Sequence, residues 1–529
     1  MLWGMDMKRW CAALAGCLVF TAAHAGSPAT PQTTYDRIVD DAVARYHLPG
    51  IAVGVVEDGK VVYTRTVGEL EAGSGQKIDA QSIFKIASNT KAMTASVLAR
   101  LVDQGKLRWD DPVTKYLPDF KMHDAWVTRE MQVRDLLVHN SGLPEGGGDL
   151  MLWPEPNLFT RADIVHGLQY IKPAYSFRSG YAYDNLLYVV AGEVAAAAGG
   201  ASYETLVQRE IFTPLGLDRC RVGAFDRADV GNVAQPHVQV GGRYVPGNVD
   251  AAQVPAITSA AAGGIRCSLD DMLVWMRNWL VPDAQQQMWL SPQGRRAMWV
   301  PRTPMPIAAR RARWDNTHMY AYGYGFRLAD VDGQWTVSHT GTLSGMYSMM
   351  ALLPDRRGGF VFLINADADD ARTVLGETLM KQFTAPQSQP SIAKYAKLLA
   401  EDAQPAPTSP MQKAPKEKSA LVAPTQPRSP VATPFDPQRI GTWQDPWFGI
   451  VRLCPADGKL RFASEKSHLM VGTLMQVGDR WLVDWDNDRV DLEAWMDFED
   501  GHMRLRKTDP EGDFSSDYED LDFTRVAGC

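Results

Sequence analysis

Serine followed three residues later by lysine occurs four times in this chain: Ser74 with Lys77, Ser82 with Lys85, Ser88 with Lys91, and Ser391 with Lys394. Such a pair can attack a carbonyl if the ammonium sheds its proton and takes that of the hydroxyl, and if N–H donors meet the oxyanion that forms. Spacing alone does not choose among the four, but local structure does. After Ser88 the apolar residues Met93, Val97, Leu98, Leu101 and Val102 keep helical spacing, and Gly105 is a stop. Ser88 therefore heads an amphipathic helix, with Lys91 one turn on along the same face. Ser82 lies in "SIFKIA", an extended entry, where an offset of three puts serine and lysine on opposite faces. Ser74 sits in a glycine-containing connection, and Ser391 beside a proline-rich stretch with few apolar neighbours.

Two more segments carry suitable chemistry. Tyr183-Asp184-Asn185 precedes an apolar helical run; Tyr183 can move a second proton, and the Asn185 amide can face substrate. His339-Thr340-Gly341, followed by Thr342, lies in a strand, and the Thr342 N–H can join the Ser88 N–H as an oxyanion donor. No Gly-x-Ser-x-Gly elbow is present for a Ser-His-Asp enzyme of the α/β-hydrolase type. His139 and Ser141 read as a tight structural turn, and "DWDNDRVD" as a solvated acidic turn without the glycine and closing glutamate of a calcium loop.

Positioning these residues requires a sheet and a helical layer. "GIAVGVVEDGKVVYTRTVGEL" reads as a hairpin about Asp58-Gly59, and residues 321–365 read as a meander with turns at Asp332-Gly333 and Arg357-Gly358. If these distant strands share one antiparallel sheet, the helical sequence between them is an insertion, and the cleft between the layers is the natural site. Past residue 384 the composition turns to Pro, Ala, Lys and Ser, a semi-rigid linker with room for one short helix; beyond Pro434 alternating segments predict a small all-β unit.

Taken in order, these motifs resemble the penicillin-recognising serine hydrolases of the class C β-lactamase type, which include low-molecular-mass penicillin-binding proteins, D-aminopeptidases and esterases. The resemblance runs from about Tyr35 to Asn365 and takes in "LLVHNSGLP" around Ser141, "IFTPLGL" around Pro214 and "AAGGIRCSLDDM" around Gly263. It implies an α+β fold: an antiparallel five-stranded-type sheet flanked by helices, with an all-helical insertion, of the β-lactamase/transpeptidase kind. The tail resembles the lipocalin-like β-barrel appended to many bacterial members. The implied segments are a signal peptide at 1–25, the hydrolase domain at 26–384, a Pro-rich linker at 385–434 and the barrel at 435–529. The implied roles are Ser88 as acylated nucleophile, Lys91 as its base and Tyr183 as acid or base. Asn185, His339, Thr340, Gly341 and Thr342 would contact substrate, and no metal or organic cofactor is implied. The third motif departs from the lysine-first form of β-lactamases. A histidine there titrates near neutrality where lysine stays cationic, so the expected substrates are D-amino-acid-containing peptides or amides, or esters. The alternatives are a β-lactamase proper, or a non-catalytic penicillin-binding sensor.

The chain has 529 residues, a net charge of −8, 45% apolar and 22% charged residues, an ordinary globular composition that argues against nonspecific nucleic-acid binding. Lys8 and Arg9, an apolar run from Trp10 to Ala23 and the small-x-small Ala23-His24-Ala25 predict a secretory signal and a periplasmic or secreted protein. "LAGC" ending at Cys17 is a weaker lipoprotein reading, and no later apolar run is long enough to span a membrane. The sequence does not fix an oligomeric state; the expected partner is a small-molecule or peptide substrate. Cleavage would leave Cys220, Cys267, Cys454 and Cys529, as two bridges or as buried thiols. With Cys454 on the tail's first strand and Cys529 ending its last, barrel closure predicts a Cys454–Cys529 bridge; Cys220 with Cys267 is the other pairing expected, with no geometric argument behind it.

Overall fold

The computed structural model describes residues 31–403, 427–432 and 435–529; the expected signal, the Cys17 lipoprotein reading and most of the linker lie outside them. An eight-stranded antiparallel sheet forms the first layer. Its strands are β1 (Gly50–Glu57), β2 (Lys60–Gly68), β3 (Thr303–Pro304), β4 (Tyr320–Tyr322), β5 (Arg327–Val331), β6 (Gln334–Leu343), β7 (Met346–Leu353) and β8 (Gly358–Ile364). The order across the sheet is β2-β1-β8-β7-β6-β5-β4-β3. The N-terminal hairpin and the distant meander do meet, with Ile51 opposite Ile364 and Val55 opposite Phe360. The expected turns at Asp58-Gly59 and Asp332-Gly333 hold all four residues at positive φ, as a type I′ hairpin turn requires, whereas at Arg357-Gly358 only Arg357 is so held, closing the 3-10 turn Pro354–Arg356. The sheet has eight strands, of which the short edge strands β3 and β4 are too brief to show a period.

Both faces of the sheet are covered, which explains why β1 reads as a continuous apolar run rather than an alternating one. Ile51, Val53 and Val55 pack with helix α1 (Pro31–Tyr46) and the later helix at Asp369–Thr384. Ala52 and Val56 face the opposite core, with helix α2 (Thr90–Asp103) and the helix at Leu269–Leu280. Met93, Val97, Leu98 and Leu101 of α2 are fully buried there, and truncating one such leucine to alanine costs about 2–5 kcal/mol. Gly105 ends the run at φ +69°. Helix α3 (Leu186–Gly199) packs beside α2, buried from Leu186 to Gly192.

The tail is an antiparallel barrel of eight strands between Gly441 and Ala527, closed by pairing of Val471–Val477 with Arg480–Trp485; Arg428–Pro430 adds at one edge. Cys454–Cys529 and Cys220–Cys267 are both bridged. Cys454 lies on the barrel's second strand (Gly449–Ala456), not its first. The first strand, Gly441–Asp445, is the one that pairs with Phe523–Ala527. Among the described residues no single helix is long and apolar enough to cross a membrane.

Candidate active site

The four serines part company at their local elements. Ser88 lies in a 3-10 turn, Ala87–Asn89, that runs directly into α2. The first N–H groups of a helix have no acceptor within it; here the Asn89 N–H is taken by the Ile86 carbonyl at 3.2 Å. Ala87 before it holds φ +48°, a left-handed conformation that non-glycine residues rarely adopt. The Ser82 hydroxyl instead donates to Asp79 Oδ1 and accepts from the Asp79 N–H, both at 2.9 Å, locking a turn. Ser74 accepts from the Gln76 N–H, and Ser391 caps the helix Ile392–Asp402.

Lys91 is fully buried. Its ammonium donates to Ser88 Oγ at 3.2 Å, to Asn185 Oδ1 at 2.7 Å and to the Ala262 carbonyl at 2.9 Å. It also lies over the Tyr183 ring, 4.8 Å from its centroid. Among the described residues no carboxylate touches it, so removal from water dominates and pushes the amine down to about 7. Burial acts in the opposite sense on Tyr183, pushing the phenol up to about 12, partly offset by Arg327 and the Ser88 hydroxyl. Tyr183 thus keeps its proton at neutral pH while Lys91 is poised to lose one. Asn185, at the start of α3, spans from Lys91 to Asp149, donating to Asp149 Oδ2 at 2.8 Å. Asp149 is buried, and desolvation holds its carboxyl well above the usual range.

Strand β6 borders this group. Its pairing with β5 ends at Arg327 opposite Ser338, and beyond that point the described strands leave this edge of β6 open over His339–Leu343. Thr340 is half-buried and Thr342 exposed, on one face of the strand. Gly341 lies on the other face, where a Cβ would sit 2.3 Å from the Ile86 carbonyl and 3.0 Å from the Ala87 Cβ, so only glycine lets the strand approach the Ser88 turn. Arg372 fixes the strand end, donating to the Gly341 carbonyl at 3.2 Å and to the Thr342 hydroxyl.

His339 departs from its expected place at the substrate. The ring is fully buried, with Nδ1 against the Thr340 carbonyl at 2.6 Å and Nε2 against the Tyr322 hydroxyl at 2.8 Å. A carbonyl can only accept, so Nδ1 carries the proton and Nε2 takes that of Tyr322. Burial and the neighbouring Arg327 and Lys91 charges hold its basicity well below the usual histidine range. The imidazole is neutral and saturated, and the expected titration near neutrality does not arise from it.

Sequence reasoning missed the cation beside Thr340. Arg327, on β5, donates from Nη1 to Thr340 Oγ1 at 2.7 Å, and its buried Nε has no hydrogen-bond partner among the described residues. Among the described residues no carboxylate lies within ion-pair distance of it. Its field lowers the Tyr183 phenol, the electrostatic task the motif otherwise gives to lysine. The one available signal was a charge inside the apolar and aromatic run "YAYGYGFRLA". Asp149 was missed as well, since "GGGDL" names no partner. His139 and Ser141 prove close: the His139 ring packs 4.4 Å from that of Tyr183 and accepts from the Asp184 N–H, and Ser141 donates to Asp184.

The chain is similar to a hydrolase of unguisins from Aspergillus campestris, 26% identical over 65% of this chain and spanning 63% of that relative's length. It is likewise similar to the D-alanyl-D-alanine-carboxypeptidase/endopeptidase AmpH of Escherichia coli K12, 28% identical over 50% of this chain and 68% of the relative. The octameric penicillin-binding protein homologue of Pyrococcus abyssi shares the fold, with a TM-score of 0.57 at 18% identity, over 93% of this chain and 98% of the other. The β-lactamase family profile matches residues 35–384, from α1 through the last helix on the sheet and across every side chain of the cleft described above, so the chain belongs to the β-lactamase family of serine hydrolases.

Proposed function

We propose that the protein is a periplasmic serine peptidase that opens amide bonds beside a free carboxylate, in peptides containing D-amino acids, through an ester on Ser88. Arg327 carries this reading: a cation with no carboxylate at ion-pair distance among the described residues, bonded to Thr340, at the open edge of β6. A carboxylate there gains charge-assisted hydrogen bonds, and an extended peptide can pair its main chain with the open strand. The printed name of the Escherichia coli relative supports the D-amino acid part, and the pattern of residues 1–25 supports the periplasm.

Neutral Lys91 takes the Ser88 proton as Oγ attacks the carbonyl, and the N–H groups of Ser88 and Thr342 receive the oxyanion. Tyr183 gives its proton to the departing amine, leaving the ester. The tyrosinate then removes a proton from water, the hydroxide attacks the ester, and Lys91 returns its proton to Ser88. Activated esters react by the same steps.

The test compares an N-acetylated D-alanyl-D-alanine peptide with its C-terminal amide, in the wild type and in Arg327→Ala. The wild type is expected to favour the free acid by about 10–100-fold, the worth of one or two charged hydrogen bonds, and the variant to lose that preference. Equal rates on acid and amide in the wild type would sink the reading.

A further inference from the structure

The barrel reaches into this cleft. The loop Thr508–Asp522, between its last two strands, enters at the glycine-rich segment 146–148. Asp517 Oδ2 accepts the Gly148 N–H at 2.6 Å, and the Ser515 hydroxyl donates to Asp149 Oδ2 at 2.8 Å, beside the donor from Asn185. Phe514 comes next to the chemistry, its ring edge-on to that of Tyr183 at 5.9 Å. Gly146 makes room for it: φ is +71°, its N–H is held by the Tyr183 carbonyl at 2.8 Å, and a Cβ there would lie 2.6 Å from the Phe514 carbonyl. The rest of the barrel is fastened to the same region by Lys466 on Asp163 at 2.6 Å and by Phe448 against Phe159. With anchors at Ser515 and Asp517 on either side of the catalytic layer's 148–149 turn, the loop is a fixed wall rather than a lid.

We propose that Phe514 is a specificity-determining residue: the barrel's loop closes the Tyr183 side of the cleft and sets the girth of the leaving group that fits there. The proposal rests on the reading of Ser88 as nucleophile and Tyr183 as the acid that protonates the leaving group. A departing atom must lie within hydrogen-bond reach of the Tyr183 hydroxyl, and the group attached to it then lies along the ring that Phe514 abuts. A slender leaving group passes and a broad one meets Phe514. The selection comes from the tail, so the catalytic layer alone does not contain it.

The experiment uses the full chain and two esters with the same acetyl group: p-nitrophenyl acetate, with a single ring, and 4-methylumbelliferyl acetate, with a fused bicycle. Burst rates report acylation, free of the shared deacylation step. Phe514→Ala is expected to raise the bicyclic-to-monocyclic rate ratio about tenfold, and Phe514→Trp to lower it, in line with the discrimination available from small changes in pocket volume. A ratio within twofold of wild type in both variants would overturn the proposal. If Phe514→Ala fails to fold, Phe514→Leu and Phe514→Trp carry the same test with ratios moving in opposite directions. Intact-protein mass after fluorophosphonate treatment separates the premises. A label away from Ser88 defeats the nucleophile reading, whereas a label on Ser88 with an unmoved ratio defeats the wall.

Discussion

Ser82-x-x-Lys85 and Ser88-x-x-Lys91 stand six residues apart and share a spacing, yet Lys85 is half-buried and Lys91 fully buried, and only the second pair brings its side chains together. Lys85 meets Asp250 at 3.4 Å, within a buried group that also holds Arg266 and Glu155, while its serine is tied to Asp79. Desolvation lowers both amines, but Lys85 is answered by an anion and Lys91 by neutral oxygens of Ser88, Asn185 and Ala262. A buried ammonium among neutral acceptors is the one that can give up its proton near neutrality. Geometry separates them further, since Ser82 lies in a turn held by Asp79 ahead of the two-residue strand Phe84–Lys85, whereas the turn into α2 brings Ser88 and Lys91 to 3.2 Å.

The comparison breaks first at the hydroxyls. Ser88→Ala is expected to abolish fluorophosphonate labelling and to reduce turnover by about 10⁴-fold or more, and Ser82→Ala to keep both within about threefold. Labelling lost in the Ser82 variant instead would reverse the assignment. The lysines give the next largest contrast. Lys91→Met should slow acylation by about 10²–10⁴-fold at unchanged thermal midpoint, whereas Lys85→Met should lower stability by about 1–3 kcal/mol in urea unfolding, by stripping a buried carboxylate of one partner, and leave acylation per folded molecule near wild type.

The smallest effect is a shift along the pH axis. Lys91 acts when neutral, so acylation should rise with pH through about 7 and stay level until Tyr183 loses its proton near 12. The Asp149 carboxylate favours the ammonium, so Asp149→Asn should move that midpoint to lower pH. His339 contributes no ionisation in this range, because both ring nitrogens are engaged and burial keeps it neutral. Burst rates across pH 5 to 9 check all three statements; a midpoint that moves up in Asp149→Asn would contradict the electrostatic coupling.

Periodicity and turn chemistry are local, and what they control was legible. The sequence by itself determined that Ser88 opens a helix, that Asp58-Gly59 and Asp332-Gly333 reverse the chain, and that the tail is a separate β unit, because each follows from neighbouring residues and the backbone angles they favour. Its end-to-end sheet was legible from two apolar regions that need each other's burial. Register and side-chain partners are not local. That Arg327 bonds Thr340 while His339 is enclosed depends on Arg327 falling opposite Ser338 on the neighbouring strand and on Tyr322 filling the imidazole's free nitrogen. Whether the tail touches the chemistry depends on Phe514 and Ser515 meeting Tyr183 and Asp149 across more than 300 residues of chain. Only the tertiary structure decides such pairings, because they are set by which buried polar groups find partners once the layers close, and no residue type announces its partner in advance.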